Sequence, residues 1–239
     1  MADRLARLAR ARGYPYPYPG CSYTWRSGNV AEFDLGETKG RTAVLAVGSN
    51  RAPSRLDQKY LGKYEAPIPV QHAQLKDFDI VYAAHLTRYG SVPAMLQRAL
   101  GTTVDLAVTW LDDKQLEIMH ATEGGYHYAE IGSVDLVYDD GTQADSAHLY
   151  VGREGHLVHE EQPVALIEID AQDRPHAARN TAEVLEIVHT RVAPDMPLDD
   201  FILNVIDDTD FRRECSIILA EDSVPFDYPF KKKPGGLVD

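Results

Sequence analysis

The sequence predicts an α+β protein, and three observations carry that expectation. Residues 43–47 (AVLAV), 78–86 (FDIVYAAHL) and 103–111 (TVDLAVTWL) are apolar-rich runs of strand length. Further on, Val184, Leu185, Val188 and Val192 recur at helical spacing. Strand patterns dominate up to about residue 169 and helical spacing follows, an arrangement in which helices gather at one side of a sheet.

At 239 residues the chain can bury a sizeable core and is most economically one domain with extensions. A formal net charge of −13 disfavours non-specific nucleic-acid binding and attachment to anionic membrane. No window has the apolar length of a transmembrane helix, and no signal-peptide core is visible. Cys21 and Cys215 stand far apart and outside any C-x-x-C arrangement, so a reducing, cytoplasmic setting is expected. The sequence carries no signal for an oligomeric state.

Residues 2–12 read as a short helix with Leu5 and Leu8 on one row and Arg4, Arg7 and Arg10 on another, suited to docking on a surface. The segment 14–20, YPYPYPG, cannot be helix interior, because alternate prolines remove donors and fix φ; it is expected as an extended arm with packed tyrosines. Residues 22–25 and 30–33 read as strands about a turn at Gly28. The stretch 42–50, TAVLAVGSN, is a buried strand that runs into a turn of small and polar residues. Gly48, Ser49 and Asn50 offer backbone N–H groups with little bulk in front, a concavity that favours an anion. Residues 54–61 have helical character with Asp57 and Lys59 exposed, and Pro67 and Pro69 break regular structure before the next strand. His85, near the end of that strand, reads as a hydrogen-bonded structural histidine.

After the strand 103–111, Asp112 can cap a helix and Gln115 can complete a capping box. That helix buries Leu116 and Met119 and ends at Glu123-Gly124-Gly125. A lone glutamate at a helix end is more often solvated. Where such a residue faces a cleft, burial disfavours the charged form of a carboxyl group and makes it a usable acid and base near neutral pH. No basic residue is expected beside Glu123, with Arg51 the cation most able to pair with it. Strands at 126–131, 134–138 and 147–151 follow, then a last strand at 164–169. Helical segments are expected at 181–192, 198–206 and 211–220, with Ile217, Ile218 and Leu219 as a buried run and Cys215 as an inert core thiol. The tail 230–239 is expected to fray.

Four segments together resemble the γ-glutamylcyclotransferase-like (AIG2-like) superfamily: VLAVGSN at 44–50, YGSVPAML at 89–96, VDLAVTWLDDKQLEIMHATEGGY at 104–126 and VDLVYDDGTQADSAHLYV at 134–151. The resemblance implies a small mixed β-barrel with flanking helices over residues 41–170. An N-terminal helix and arm (1–40) would precede it, and a C-terminal helical extension (171–239) would pack on it. It implies that Gly48, Ser49 and Asn50 hold a γ-glutamyl head group and that Glu123 is the essential acid and base. It places Tyr126, or failing that Tyr128, on the cavity wall. The chain departs from the pattern at Val47, where the family usually has Tyr, and at Arg51, where an apolar residue is common. Arg51 at the mouth would recruit an acidic substrate or point to solvent.

The activity so implied is release of 5-oxoproline from a γ-glutamyl amine or peptide, a small-molecule substrate, with no metal and no cofactor. Two rivals stand beside it: a ligand-binding protein that keeps the barrel without turnover, and an enzyme acting on a different amide. His156 and His159 near Glu160 and Glu161 match no zinc pattern and read as a solvated turn. No G-x-S-x-G elbow, Walker loop or dinucleotide fingerprint occurs.

Overall fold

The computed structural model describes residues 2–235. Five strands close on themselves: β3 (Thr42–Ala46), β4 (Ile68–Tyr82), β5 (Ala94–Leu111), β6 (Tyr126–Tyr138) and β7 (Gln143–Gly152). The pairings run β4–β5–β3–β7–β6 and back to β4, and only β3 with β7 is parallel within this ring. The fold is therefore α+β, built on a small mixed barrel. Closure removes the sheet edges and leaves the interior to apolar side chains such as Val44, Leu106, Leu136 and Leu149. Two earlier strands, β1 (Tyr23–Arg26) and β2 (Asn29–Ala31), form close to the expected 22–25 and 30–33 and extend the sheet beyond β4.

The long strands exceed their sequence signals. β4 begins at Ile68 despite Pro69, because proline is tolerated at the start of a strand. Its pairing with β5 slips between Lys76 and Phe78, and β6 slips against β7 between Gly132 and Leu136. These bulges bend the ribbons that wrap the barrel. The expected strand at 164–169 shrinks to Ala165–Leu166. Lys231–Lys232 pairs with β6 at Glu130 and Ala129, where fraying was expected; residues 236–239 of that tail lie outside the described residues.

Six helices flank the barrel among the described residues: α1 (Ala2–Arg12), α2 (Pro53–Tyr60), α3 (Asp113–His120), α4 (Thr181–Val192), α5 (Leu198–Asp207) and α6 (Thr209–Ala220). No helix among them is long and apolar enough to cross a membrane. α1 buries Leu8 and Ala11 and sets its arginines against the acidic face of α5. Arg4 pairs with Asp200 at 3.0 Å, Arg12 with Asp199 at 2.6 Å, and Arg7 with Asp207. In α6 only Leu219 of the expected apolar run is buried. Ile217 is 55% exposed and Ile218 36%, since a helix turns successive residues to different faces. Cys215 is buried as expected, and burial pushes its thiol pKa up.

Candidate functional site

β3 and β7 run parallel, so their C-terminal ends open on one rim of the barrel, where β5 and β6 begin. A cavity of about 280 Å³ sits there, and Gly48, Ser49, Asn50, Glu123 and Tyr126 all line it. Two segments more than seventy residues apart in sequence thus meet around one small-molecule space. Asn50 Nδ2 donates to Glu123 Oε1 at 3.2 Å. Ser49–Arg51 forms a single 3-10 turn that leads into α2. The first N–H groups of such a turn have no partner within it.

The expected capping box forms: Asp112 Oδ1 accepts from Gln115 N at 2.8 Å, and Gln115 Oε1 accepts from Asp112 N at 3.0 Å. Gln115 is buried and also donates to Ala66 O at 2.8 Å, which fixes α3 against the chain that enters β4. Glu123 follows α3 by three residues, through a turn in which Thr122 N and Glu123 N bond back to Met119 O and His120 O.

The expectation that no basic residue stands beside Glu123 fails. Lys59, read from sequence as exposed, is 1% exposed and its Nζ lies 2.6 Å from Glu123 Oε1. The same ammonium contacts Met119 Sδ at 2.8 Å. Burial lowers the Lys59 pKa to about 8, with the Glu123 carboxylate opposing that shift. Arg55, Leu56, Lys59 and Tyr60 form the inner stripe of α2, and Tyr60 Oη donates to Gln115 O at 3.0 Å. Leu56, Lys59 and Tyr60 follow an i, i+3, i+4 pattern, the one sequence signal that would have turned Lys59 inward.

Arg51 is displaced from its expected place. It is 6% exposed, lies outside the cavity wall, stacks under Tyr18 at 4.9 Å, and donates through Nη2 to Glu168 O at 3.2 Å. The 3-10 turn rotates successive side chains by about 120°, so Asn50 faces the cavity and its neighbour faces the tyrosine arm. Tyr128 is likewise not on the wall: its ring stacks on His148 at 5.2 Å and against His120 at 4.6 Å. Tyr150, from the paired strand, lines the cavity with Tyr126, whose hydroxyl donates to Ala94 O at 2.9 Å.

Gly48 is required for space. A Cβ there would lie 2.1 Å from Tyr14 Oη and 3.2 Å from Ala94 Cβ. Tyr14 arrives from the Tyr-Pro arm, and its hydroxyl accepts from Ala94 N at 2.8 Å. Arg55 also lines the cavity, 5% exposed, with its guanidinium 5.5 Å over the Tyr89 ring.

His85 is a wall residue and not the hydrogen-bonded structural histidine expected, because β4 ends at Tyr82 and the next residues turn along the rim. Its buried Nδ1 has no hydrogen-bond partner among the described residues, and burial lowers its pKa to about 4, so the ring is neutral at physiological pH. Gly125 passes so close that a Cβ would meet His85 Nε2 at 2.7 Å. Away from the cavity, His156 is 3% exposed rather than in a solvated turn, with its backbone N–H bonded to Val224 O at 2.9 Å. Among the described residues no group of three or more His, Cys, Asp or Glu side chains is placed to hold a metal ion.

No family model matches the sequence, and no curated protein matches it. Among solved structures the chain is similar to one described as "Gamma-glutamyl cyclotransferase", at 13% identity and a TM-score of 0.36, over 81% of this chain and 94% of that one. So shallow a likeness carries no residue's role across.

Proposed function

We propose that the chain is a γ-glutamylcyclotransferase-like enzyme that releases 5-oxoproline from a γ-glutamyl amine or peptide in the cytoplasm. The observation that carries this reading is the convergence of the Gly48–Ser49–Asn50 turn and Glu123 on one cavity of head-group size. The substrate's α-carboxylate binds the turn amides and the Arg55 guanidinium, a charge-assisted contact in a site shielded from water. Glu123 takes a proton from the α-ammonium, and the freed amine attacks the γ-carbonyl carbon of the same molecule. Holding the folded conformer supplies a large proximity advantage for closing the five-membered ring. Turn amides stabilise the oxyanion while the C–N bond breaks, and Glu123 returns its proton to the leaving amine.

Lys59 positions the carboxylate for this work. Glu123 Oε1 faces Lys59 Nζ at 2.6 Å, Asn50 Nδ2 at 3.2 Å and Thr122 Oγ1 at 3.5 Å, which leaves Oε2 for the substrate. The same ion pair favours the rival reading, a binder without turnover, because a protein cation already occupies one oxygen of the carboxylate. Val47 on the cavity wall, apolar where the resembled family carries a phenol, points the same way. A screen of γ-glutamyl amines, γ-glutamyl peptides and glutathione for 5-oxoproline release separates the two. Release from at least one compound supports the enzyme, and saturable binding with no release from any supports the binder.

A further inference from the structure

In the proposed reaction the turn amides hold the α-carboxylate, so amides already engaged there stabilise the oxyanion only in part. The γ-carbonyl lies at the other end of the head group, toward the residues that follow Glu123. His85 stands on that wall together with Gly124 and Gly125. We propose that the His85 imidazole presents an Nε2–H to the cavity and donates a hydrogen bond to the γ-carbonyl oxygen as the ring closes. The inference rests on the cyclotransferase reading, which brings the α-amine to Glu123 and the γ-carbonyl beside it.

The orientation of the ring carries the proposal. A Cβ on Gly125 would lie 2.7 Å from His85 Nε2, against 3.1 Å from Cε1 and 3.3 Å from Cδ2, so the Nε2 edge is the one turned toward the Gly125 backbone. The opposite nitrogen, Nδ1, is buried with no hydrogen-bond partner among the described residues. Buried N–H groups without an acceptor are rarer than acceptors without a donor, which places the single proton of the neutral ring on Nε2. Tyr126 meets the ring edge-on, with centroids 5.3 Å apart and planes at 73°. The backbone beneath is pinned as well. Ala83 N donates to Pro93 O at 2.7 Å, Ala84 N to Gly155 O at 3.0 Å and His85 N to Ala83 O at 2.9 Å. A donor held in this way needs no reorganisation when negative charge develops. Burial keeps the imidazole neutral near pH 7 although the Glu123 carboxylate opposes the shift, and a neutral imidazole donates without giving up its proton. As the α-amine bonds to the γ-carbon, the carbonyl π pair moves onto oxygen and Nε2 keeps its hydrogen. That pair returns as the C–N bond to the leaving amine breaks, and the departing nitrogen takes its proton from Glu123.

Two measurements on the full chain test the assignment. The first is the His85 tautomer near pH 7, read from 15N–1H correlation of the imidazoles, with the His85 signals identified by their loss in His85→Gln. Nε2 should carry the proton; protonation at Nδ1 or at both nitrogens overturns the proposal. The second is steady-state release of 5-oxoproline from a γ-glutamyl compound that the parent turns over. In His85→Leu, kcat should fall about a hundredfold while KM stays within a few-fold, because the bond strengthens only as the oxyanion forms. His85→Gln, whose amide N–H can stand in for Nε2–H, should keep kcat within about tenfold of the parent. A purely structural role would raise KM in both variants and would show no rescue by Gln. Parent kcat in His85→Leu, or a loss in His85→Gln of a hundredfold or more, overturns the donor and leaves the cyclotransferase standing. If His85→Leu does not fold, the tautomer and His85→Gln still decide. Absence of release by the parent from every γ-glutamyl compound overturns both.

Discussion

At the scale of single residues, Gly48 and Tyr14 are a matched pair. A methyl group on residue 48 would meet the Tyr14 hydroxyl at 2.1 Å, while the ring carbon behind that oxygen is 3.3 Å away. Gly48→Ala should therefore cost about 1–3 kcal/mol of stability through overpacking. Tyr14→Phe removes the clashing oxygen at the expense of leaving Ala94 N–H unbonded, about 1–3 kcal/mol. The double variant should be more stable than the sum of the two single losses allows, and denaturant melts of all four proteins read that coupling. Strict additivity would mean that the two side chains do not compete for this space. Lys59 gives a second residue-scale expectation. Its folded pKa of about 8 lies below the ordinary lysine value of 10.5, so between those pH values the unfolded chain holds a proton that the folded chain has released. Stability contributed by this group should thus rise with pH across that window, and the rise should vanish in Lys59→Met. The Nζ titration followed by NMR should move below about 8 in Glu123→Gln, because the carboxylate holds the Lys59 pKa up. An unchanged midpoint would mean that the pair does not form in solution.

At the scale of elements, α3 was the most legible part of the chain and β4 and β5 the least complete. Asp112, Gln115 and Met119 announce the helix through capping chemistry and spacing that act within a few residues, and both survive in the fold. Asp112→Ala should lower stability by about 1 kcal/mol, read as a fall in Tm, and should loosen the turn that seats Glu123. A variant with the parent Tm would show that Arg41, which donates to Gln115 Oε1 at 2.6 Å, holds α3 without the cap. The strands were found but cut short, because residues that enter a curved barrel pair through bulges and alternate faces irregularly. Pro69 and the slip at Lys76 look like boundaries only when the partner strand is unseen. Within α2 the charge of Lys59 points to solvent by residue type, while its place on the inner stripe with Leu56 and Tyr60 points to the core, and only the second matches the ion pair.

At the scale of the whole molecule, the site is assembled from parts that sequence cannot bring together. The turn at residues 48–50 and Glu123 were both legible, as were Tyr126 and the glycines that follow the glutamate. Tyr14 comes from an arm anchored by α1 on α5, and Thr181 Oγ1 at the start of α4 donates to its carbonyl at 2.8 Å. His85 reaches the wall because a strand stops early, and Tyr150 because β7 lies beside β6. Such contacts follow from closure of the barrel and from packing of the terminal helices, neither of which leaves a local pattern. Arg51 and Tyr128 were misplaced for the converse reason: adjacency in sequence says little about which face of a turn or strand a side chain takes. The most direct measurement is release of 5-oxoproline from a γ-glutamyl compound by the parent and by Glu123→Gln, with binding of the same compound measured in parallel. Glu123→Gln keeps the shape of the side chain and removes its ability to take a proton, so kcat should fall by about two orders of magnitude or more while the compound still binds. Turnover by Glu123→Gln at the parent rate would contradict the role assigned to Glu123 and, with it, the cyclotransferase mechanism.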